Sequence, residues 1–283
     1  MIHPVGALSA NGMNISPFFK KESVAASKKG VTDASGVKFL KSCSESFSQE
    51  NDMALVELNA IAKRYQMGEV TINALKNVNL EIERKTFVSI IGPSGSGKST
   101  LLNLIGCLDQ PTEGSVSING EDVGKIDRVA RARFRGEHLG FVFQNFNLIP
   151  VLTVYENVEY PLLMVKNRKS KKDREKVLQV LEAVGVLDQI NKLPSQISGG
   201  QQQRVAVARA LVTEPKLVIA DEPTANLDHD TAHRIIALMK QMKDQWDTTF
   251  VFSTHDPKII GEAEVIHTME DGMLVNREDM RKS

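Results

Sequence analysis

From residue 54 onward, stretches with apolar residues at every second position or in unbroken runs give way, again and again, to stretches of helical period. The segments "ALVELNAIAKRY" (54–65) and "ALKNVNLEIE" (74–83) alternate in part, which predicts antiparallel strands with one face exposed. "FVSIIG" (87–92), "LGFVFQ" (139–144), "KLVIADEP" (216–223) and "TTFVFSTHD" (248–256) are continuous apolar runs, the pattern of strands buried on both faces. "GSVSING" (114–120) predicts a short strand and "EVIHTMEDGML" (264–274) a closing hairpin. Helical period follows in "KSTLLNLIGCL", dominates from 153 to 213, and returns over 229–246. Strands alternating with helices predict an α/β core around a parallel sheet. The helical stretch, about 145–212, reads as an inserted subdomain. No internal repeat or coiled-coil heptad is present.

Residues 1–52 differ. "KKESVAASKKGVTDASGVKFLKSCSESFSQEND" is polar and aperiodic, the composition of a disordered leader, and it lacks the apolar core and cleavage site of a secretory signal. Met53 stands directly before the first strand, so a misassigned start or a lineage-specific extension fits equally. Residues 53–283 then form the folded domain.

Composition narrows the class of function. Thirty-five Lys and Arg balance 35 Asp and Glu, which argues against a general nucleic-acid binder. Two cysteines, Cys43 and Cys107, suggest neither a disulfide framework nor a metal cluster, and suit a reducing cytoplasm. No apolar run approaches the ~18 residues of a membrane span. Any tie to a membrane must therefore come through a partner.

The chemistry begins at "GPSGSGKS", Gly92 to Ser99, which fits G-x-x-x-x-G-K-[ST] in full and sits between a buried strand and an apolar helix. Gly92, Pro93, Ser94, Gly95, Ser96 and Gly97 form a loop whose backbone N–H groups can converge on phosphate oxygens. The helix that follows points its positive end at the same charge. Lys98 can neutralise β- and γ-phosphate oxygens, the Ser99 hydroxyl can bind Mg²⁺, and Thr100 can help hold the α-phosphate. Asp221 ends an apolar strand, where its carboxylate can reach the metal through water, and Glu222 beside it can orient or deprotonate an attacking water.

"SQISGGQQQRVAVARAL" (195–211) contains Ile197-Ser198-Gly199-Gly200-Gln201, which resembles the signature motif of ATP-binding cassette (ABC) ATPases. Further marks of that family follow in its order. Tyr65 matches the adenine-stacking aromatic, and Gln144 the glutamine that joins the metal site to the transporter contact. "ANLD" (225–228) matches the D-loop, and His255 the switch histidine. Taken singly, each has a plainer reading: a strand aromatic, a strand-end amide, a satisfied histidine, or a helix N-cap for Ser198. Their coincidence in order does not. The resemblance implies a P-loop NTPase fold with an antiparallel β subdomain and a helical subdomain. It also implies ATP and Mg²⁺ as cofactors, and catalytic parts for Glu222, His255 and Gln144.

The same resemblance implies a head-to-tail homodimer, in which Ser198, Gly199 and Gly200 of one subunit cap the γ-phosphate held by the other. It implies a separate integral-membrane permease as partner and a place at the cytoplasmic face of the inner membrane. "LGFVFQNFNLIPVLTVYENVEYPLLM" is similar to the lipoprotein-releasing and macrolide-export ATPases, a subgroup that includes the cell-division ABC ATPases. Two functions stand: an exporter or lipoprotein-releasing ATPase subunit, or a mechanotransmitting ATPase that transports nothing. The segment 145–158 is expected beside the permease, or equally as subdomain core. The basic run 166–176 reads as a solvated helix start rather than a lipid contact.

Overall fold

The computed structural model describes residues 54–166 and 170–282. The leader, residues 1–52, lies outside the described residues, as does much of the start of the basic run.

Two sheets organise the chain. The first has the order β2-β1-β4-β5 and is antiparallel: β1 (Val56–Met67) pairs with β2 (Val70–Ile82) and β4 (Glu113–Ile118), and β4 with β5 (Glu121–Asp122). The second has the order β10-β9-β3-β8-β7-β6. In it β3 (Phe87–Ile91), β6 (Leu139–Phe143), β7 (Leu217–Asp221), β8 (Thr249–Thr254) and β9 (Val265–Glu270) run parallel, and β10 (Met273–Asp279) closes the edge antiparallel to β9.

The unbroken apolar runs follow from what covers this second sheet. Successive side chains point to opposite faces, and both faces are buried. Val88, Ile90, Leu217, Ile219 and Val251 pack with α1 (Lys98–Ile105) and with the first sheet. Their neighbours Phe87, Val218, Ala220, Phe250 and Phe252 pack on the other face. There they meet α3 (Val154–Lys166), α4 (Lys171–Ala183), α5 (Gly199–Leu211) and α6 (His229–Trp246). The rings of Phe87 and Phe252 lie 4.8 Å apart at the centre of that layer. Short 3-10 turns at Leu187–Gln189 and Pro194–Gln196 lead into α5, and α7 (Pro257–Ile260) follows β8.

Two elements depart from the pattern-based expectation. The second strand starts at Val70 rather than at 74; residues 70–73 alternate, Val-Thr-Ile-Asn, but all four are exposed, so this part of the strand buries no face. Helix α2 (Arg128–His138) leaves almost no mark in the apolar pattern, because Phe134 is its one buried residue. It forms because Asp127 caps it, accepting from the Val129 and Ala130 N–H groups at 2.7 and 2.8 Å.

Candidate active site

Residues 92–97 connect β3 to α1. The backbone at Gly97, the N-cap of α1, has φ 103°, and a Cβ there would lie 2.7 Å from the Ala74 carbonyl oxygen. At Gly92, with φ 147°, a Cβ would come within 2.2 Å of the Met269 oxygen. Both positions demand glycine because another strand's backbone presses on the loop. Ser96 is buried, and its Oγ has no hydrogen-bond partner among the described residues. Lys98 is buried too, and its Nζ donates to the carbonyls of Gly92 and Pro93 at 2.8 and 2.9 Å. The ammonium is thus held directly above the loop that the N–H groups surround.

A cavity of about 630 Å³ gathers Ser94, Gly95, Gly97, Lys98, Ser99 and Thr100 with Gln144, Asp221, Glu222 and His255; residues 72–74 of β2 form its outer wall. The acidic pair stands at the end of β7 and is held from the adjacent strand β8. Ser99 Oγ donates to Asp221 Oδ1 at 3.2 Å. Ser253, on β8, donates to the same oxygen at 2.6 Å and accepts from the Glu222 N–H at 2.9 Å. Glu222 itself has φ 49°, an uncommon conformation for a bulky residue, and this turns its carboxylate away from the strand. His255 Nδ1 stands 2.7 Å from Glu222 Oε2 and 3.0 Å from Oε1. An ionised carboxylate only accepts, so the imidazole proton in this contact resides on Nδ1.

Tyr65 does not line this cavity. Its hydroxyl donates to Asp109 at 2.8 Å, and the Lys63 ammonium sits 4.8 Å from the ring centroid. Burial and the Asp109 carboxylate push the phenol pKa up. At Asp109, burial alone would raise the pKa, but the Lys63 and Tyr65 hydrogen bonds outweigh it and hold the carboxyl below its usual range.

Ser198, Gly199, Gly200 and Gln201 are not brought to the phosphate loop of their own chain. Ser198 caps α5: its Oγ accepts from Gln201 N at 3.3 Å, and Gln201 Oε1 accepts from Ser198 N at 2.9 Å. A Cβ on Gly200 would meet Thr231 of α6 at 2.7 Å. The turn therefore lies against α6.

Several residues that shape the site were not apparent in the sequence. Ser253 is one. Another is Arg209 of α5, which donates to the carbonyls of Phe146 and Asn147, two consecutive residues with φ 59° and 49°. Asn226 Nδ2 donates to Gln144 O at 3.0 Å and to Asn145 Oδ1 at 2.8 Å. Asn157, fully buried, accepts from Ile149 N and donates to the carbonyls of Ile149, Leu152 and Thr153. The whole segment after Gln144 is pinned by side chains from elsewhere.

The donor set near Ser99 is hydroxyl, carboxylate and amide oxygen, which suits a hard cation such as Mg²⁺ completed by phosphate oxygens. Among the described residues, no three His, Cys, Asp or Glu side chains could hold a metal by themselves. No described helix is long and apolar enough to cross a membrane.

A glycine-lined loop between a buried parallel strand and a helix, with an acidic pair at the end of β7, one strand removed across β8, defines a phosphate-loop nucleotide-binding protein of the α/β class. The family model described as ABC transporter matches residues 75–225. The ABC transporter ATP-binding protein MJ0796 of Methanocaldococcus jannaschii is 46% identical over 231 residues, covering 80% of this chain and 98% of that protein. The macrolide export ATP-binding/permease protein MacB of Rhodopirellula baltica is 41% identical over 229 residues, 81% of this chain but only 33% of MacB. A dimeric structure of MJ0796 in a post-hydrolysis state, bound to ADP and Pi, matches with a TM-score of 0.74 and 45% identity over 80% of this chain and 99% of that one. The chain belongs to the ABC transporter family, and its cassette is an ATPase.

Proposed function

We propose that two copies of this chain close head-to-tail around two ATP molecules and so drive a separate membrane permease of the exporter or lipoprotein-releasing type. One observation carries the reading. The helix N-terminus at Ser198, Gly199 and Gly200 is suited to an anion, yet it stands outside the cavity that holds Lys98, Asp221 and Glu222. A phosphate that meets both must be shared between two chains, and a two-fold pair satisfies this twice. The dimeric structure of MJ0796 bound to ADP and Pi supports a pair.

The residues divide the work. The loop N–H groups of residues 92–97 and Lys98 hold the β- and γ-phosphates, and the base stacks on the face of Tyr65 not taken by Lys63. Ser99, Asp221 and Gln144 would hold Mg²⁺, which would supply positive charge against that building on the phosphates. Glu222 accepts the proton of the attacking water, while His255 donates its Nδ1–H to the carboxylate and keeps it aimed. Loss of the γ-phosphate removes the contact with Ser198 and Gly200 of the second copy, so hydrolysis opens the pair.

The permease has a candidate seat. An apolar groove of about 470 Å³ runs between α2, β6, α3 and α5, lined by Phe141, Phe143, Tyr160, Pro161, Met164 and Val165. Met164 is 63% exposed, and a patch of this kind on an otherwise polar surface marks a contact site. The groove borders the pinned segment after Gln144, within the helical unit of about 145–212. The name of MacB, an ATP-binding/permease protein, supports a permease partner, and with such a partner the chain would sit at the cytoplasmic face of the inner membrane.

The test is Glu222→Gln. It keeps shape, removes the base and leaves Lys98, Ser99 and Asp221 in place. ATP should bind, turnover should fall at least ~100-fold, and the protein should become dimeric on size-exclusion chromatography only with ATP. Adding Ser198→Arg should abolish that dimer. A Glu222→Gln protein that binds ATP without hydrolysing it, yet stays monomeric, would undo the shared-site reading.

A further inference from the structure

Helix α1 carries the phosphate loop at its N-terminus and ends about 12 Å away, by its rise per residue, at a second polar concavity. This cavity, about 440 Å³, is lined by residues 107–110 of the turn after α1 and by Arg128, Arg131 and Arg135 of α2. Spacings of three and four residues place the three guanidinium groups on one stripe of that helix.

The stripe is not balanced from within. Asp109 is the one acid lining the cavity, and it already binds Lys63 at 2.7 Å and the Tyr65 hydroxyl at 2.8 Å. Among the described residues no carboxylate lies within ion-pair distance of Arg128, Arg131 or Arg135. Arg133, on another face of α2, does pair with Glu137 at 2.8 Å. Arg135 spends one of its donors on the Cys107 carbonyl, at 2.8 Å, which fixes it against the turn. Arg128 and Arg131 stand in the opening turn of α2, where the helix end is already positive and no acid follows the Asp127 cap. The stripe therefore opposes the stability of its own helix, a local conflict of the kind that functional sites retain.

We propose that this pocket binds a phosphate-bearing anion, separately from the nucleotide site. A guanidinium presents paired N–H donors that match a phosphate oxyanion. A phosphate monoester carries about −1.5 to −2 charge and three acceptor oxygens at pH 7, which answers three cations better than a single carboxylate does. The phosphoryl group belongs to a soluble metabolite or to a lipid headgroup; both offer the same chemistry. The proposal does not depend on what docks in the apolar groove.

The full chain, its nucleotide site saturated with Mg²⁺ and a non-hydrolysable ATP analogue, provides the test. Pyrophosphate binding is read by calorimetry. Vesicle binding is read by flotation with phosphatidylcholine alone and with added phosphatidic acid, whose headgroup is a phosphate monoester. The wild type should bind at least one probe, and Arg128→Gln/Arg131→Gln should weaken that binding about tenfold or more. Loss confined to pyrophosphate assigns a soluble ligand; loss confined to phosphatidic acid vesicles assigns a headgroup. Because two cations leave the positive end of α2, the variant should melt at the same temperature or higher. Unchanged binding by the variant, no binding of either probe by the wild type, or a markedly lower melting temperature overturns the proposal.

Discussion

Ser253→Ala isolates the part of the site that holds the acidic pair in place. Ser253 is completely buried, and its one hydroxyl serves both acids: it donates to Asp221 Oδ1 at 2.6 Å and accepts from the Glu222 N–H at 2.9 Å. Alanine removes a hydrogen bond to a charged group, worth about 1.5–3 kcal/mol, and strands an amide whose desolvation costs about 1–3 kcal/mol. The two overlap, so a loss of about 2–4 kcal/mol is expected. At about 2–4 °C per kcal/mol for a domain of this size, the melting temperature should drop by roughly 4–16 °C. The kinetic effect should be selective. Glu222 holds φ 49° against its own preference, and its amide loses the acceptor that fixes it. A base displaced by a fraction of an ångström should lower kcat by about ten- to a hundredfold. KM for ATP should change by less than about threefold, because the phosphate loop is untouched. Ser253→Thr, which keeps the hydroxyl, should restore much of kcat. Steady-state ATPase assays below the melting transition separate the outcomes. A lower melting temperature with wild-type kcat would show that Ser253 only packs, and the positioning argument would fail.

Two further expectations follow from single groups. Lys98→Ala should abolish ATP turnover, since no other cation lines the cavity with the loop carbonyls; wild-type activity in the purified variant would sink the assignment of the site. His267 is buried, and burial, helped by Arg277, lowers its pKa to about 4 from 6.5. The folded state therefore prefers the neutral ring, so its contribution is whole above pH ~6.5 and lost as the pH falls toward 4, by about 3 kcal/mol. Urea unfolding across that window should show a steeper acid loss for the wild type than for His267→Gln, and parallel curves would count against it.

What could be read in the sequence is what local chemistry carries. The phosphate loop is contiguous, and its glycines, lysine and serine announce themselves at fixed spacing. Asp221 and Glu222 are legible because an apolar strand ends on them. The supports are not legible, because each acts across the chain. Ser253 serves acids 31 and 32 positions away, and Arg209 serves carbonyls 62 and 63 positions away. Nothing near a serine in a buried strand says which side chain its hydroxyl meets. Helix α2 escaped notice for a different reason: it covers the core with Phe134 as its one buried apolar side chain, so a pattern of burial hardly exists to be detected.

The segment after Gln144 has a mechanical consequence. A loop normally absorbs displacement by rotating its soft dihedrals. Here Asn226 grips one end at Gln144 and Asn145, Arg209 grips the two left-handed residues in the middle, and Asn157 grips the far end at Ile149. A push on the rim of the apolar groove is then not dissipated as slack. The chain of contacts leads on to Asn226, four residues past Glu222. The segment is a strut, and stiffness rather than flexibility is the property through which it couples the two ends.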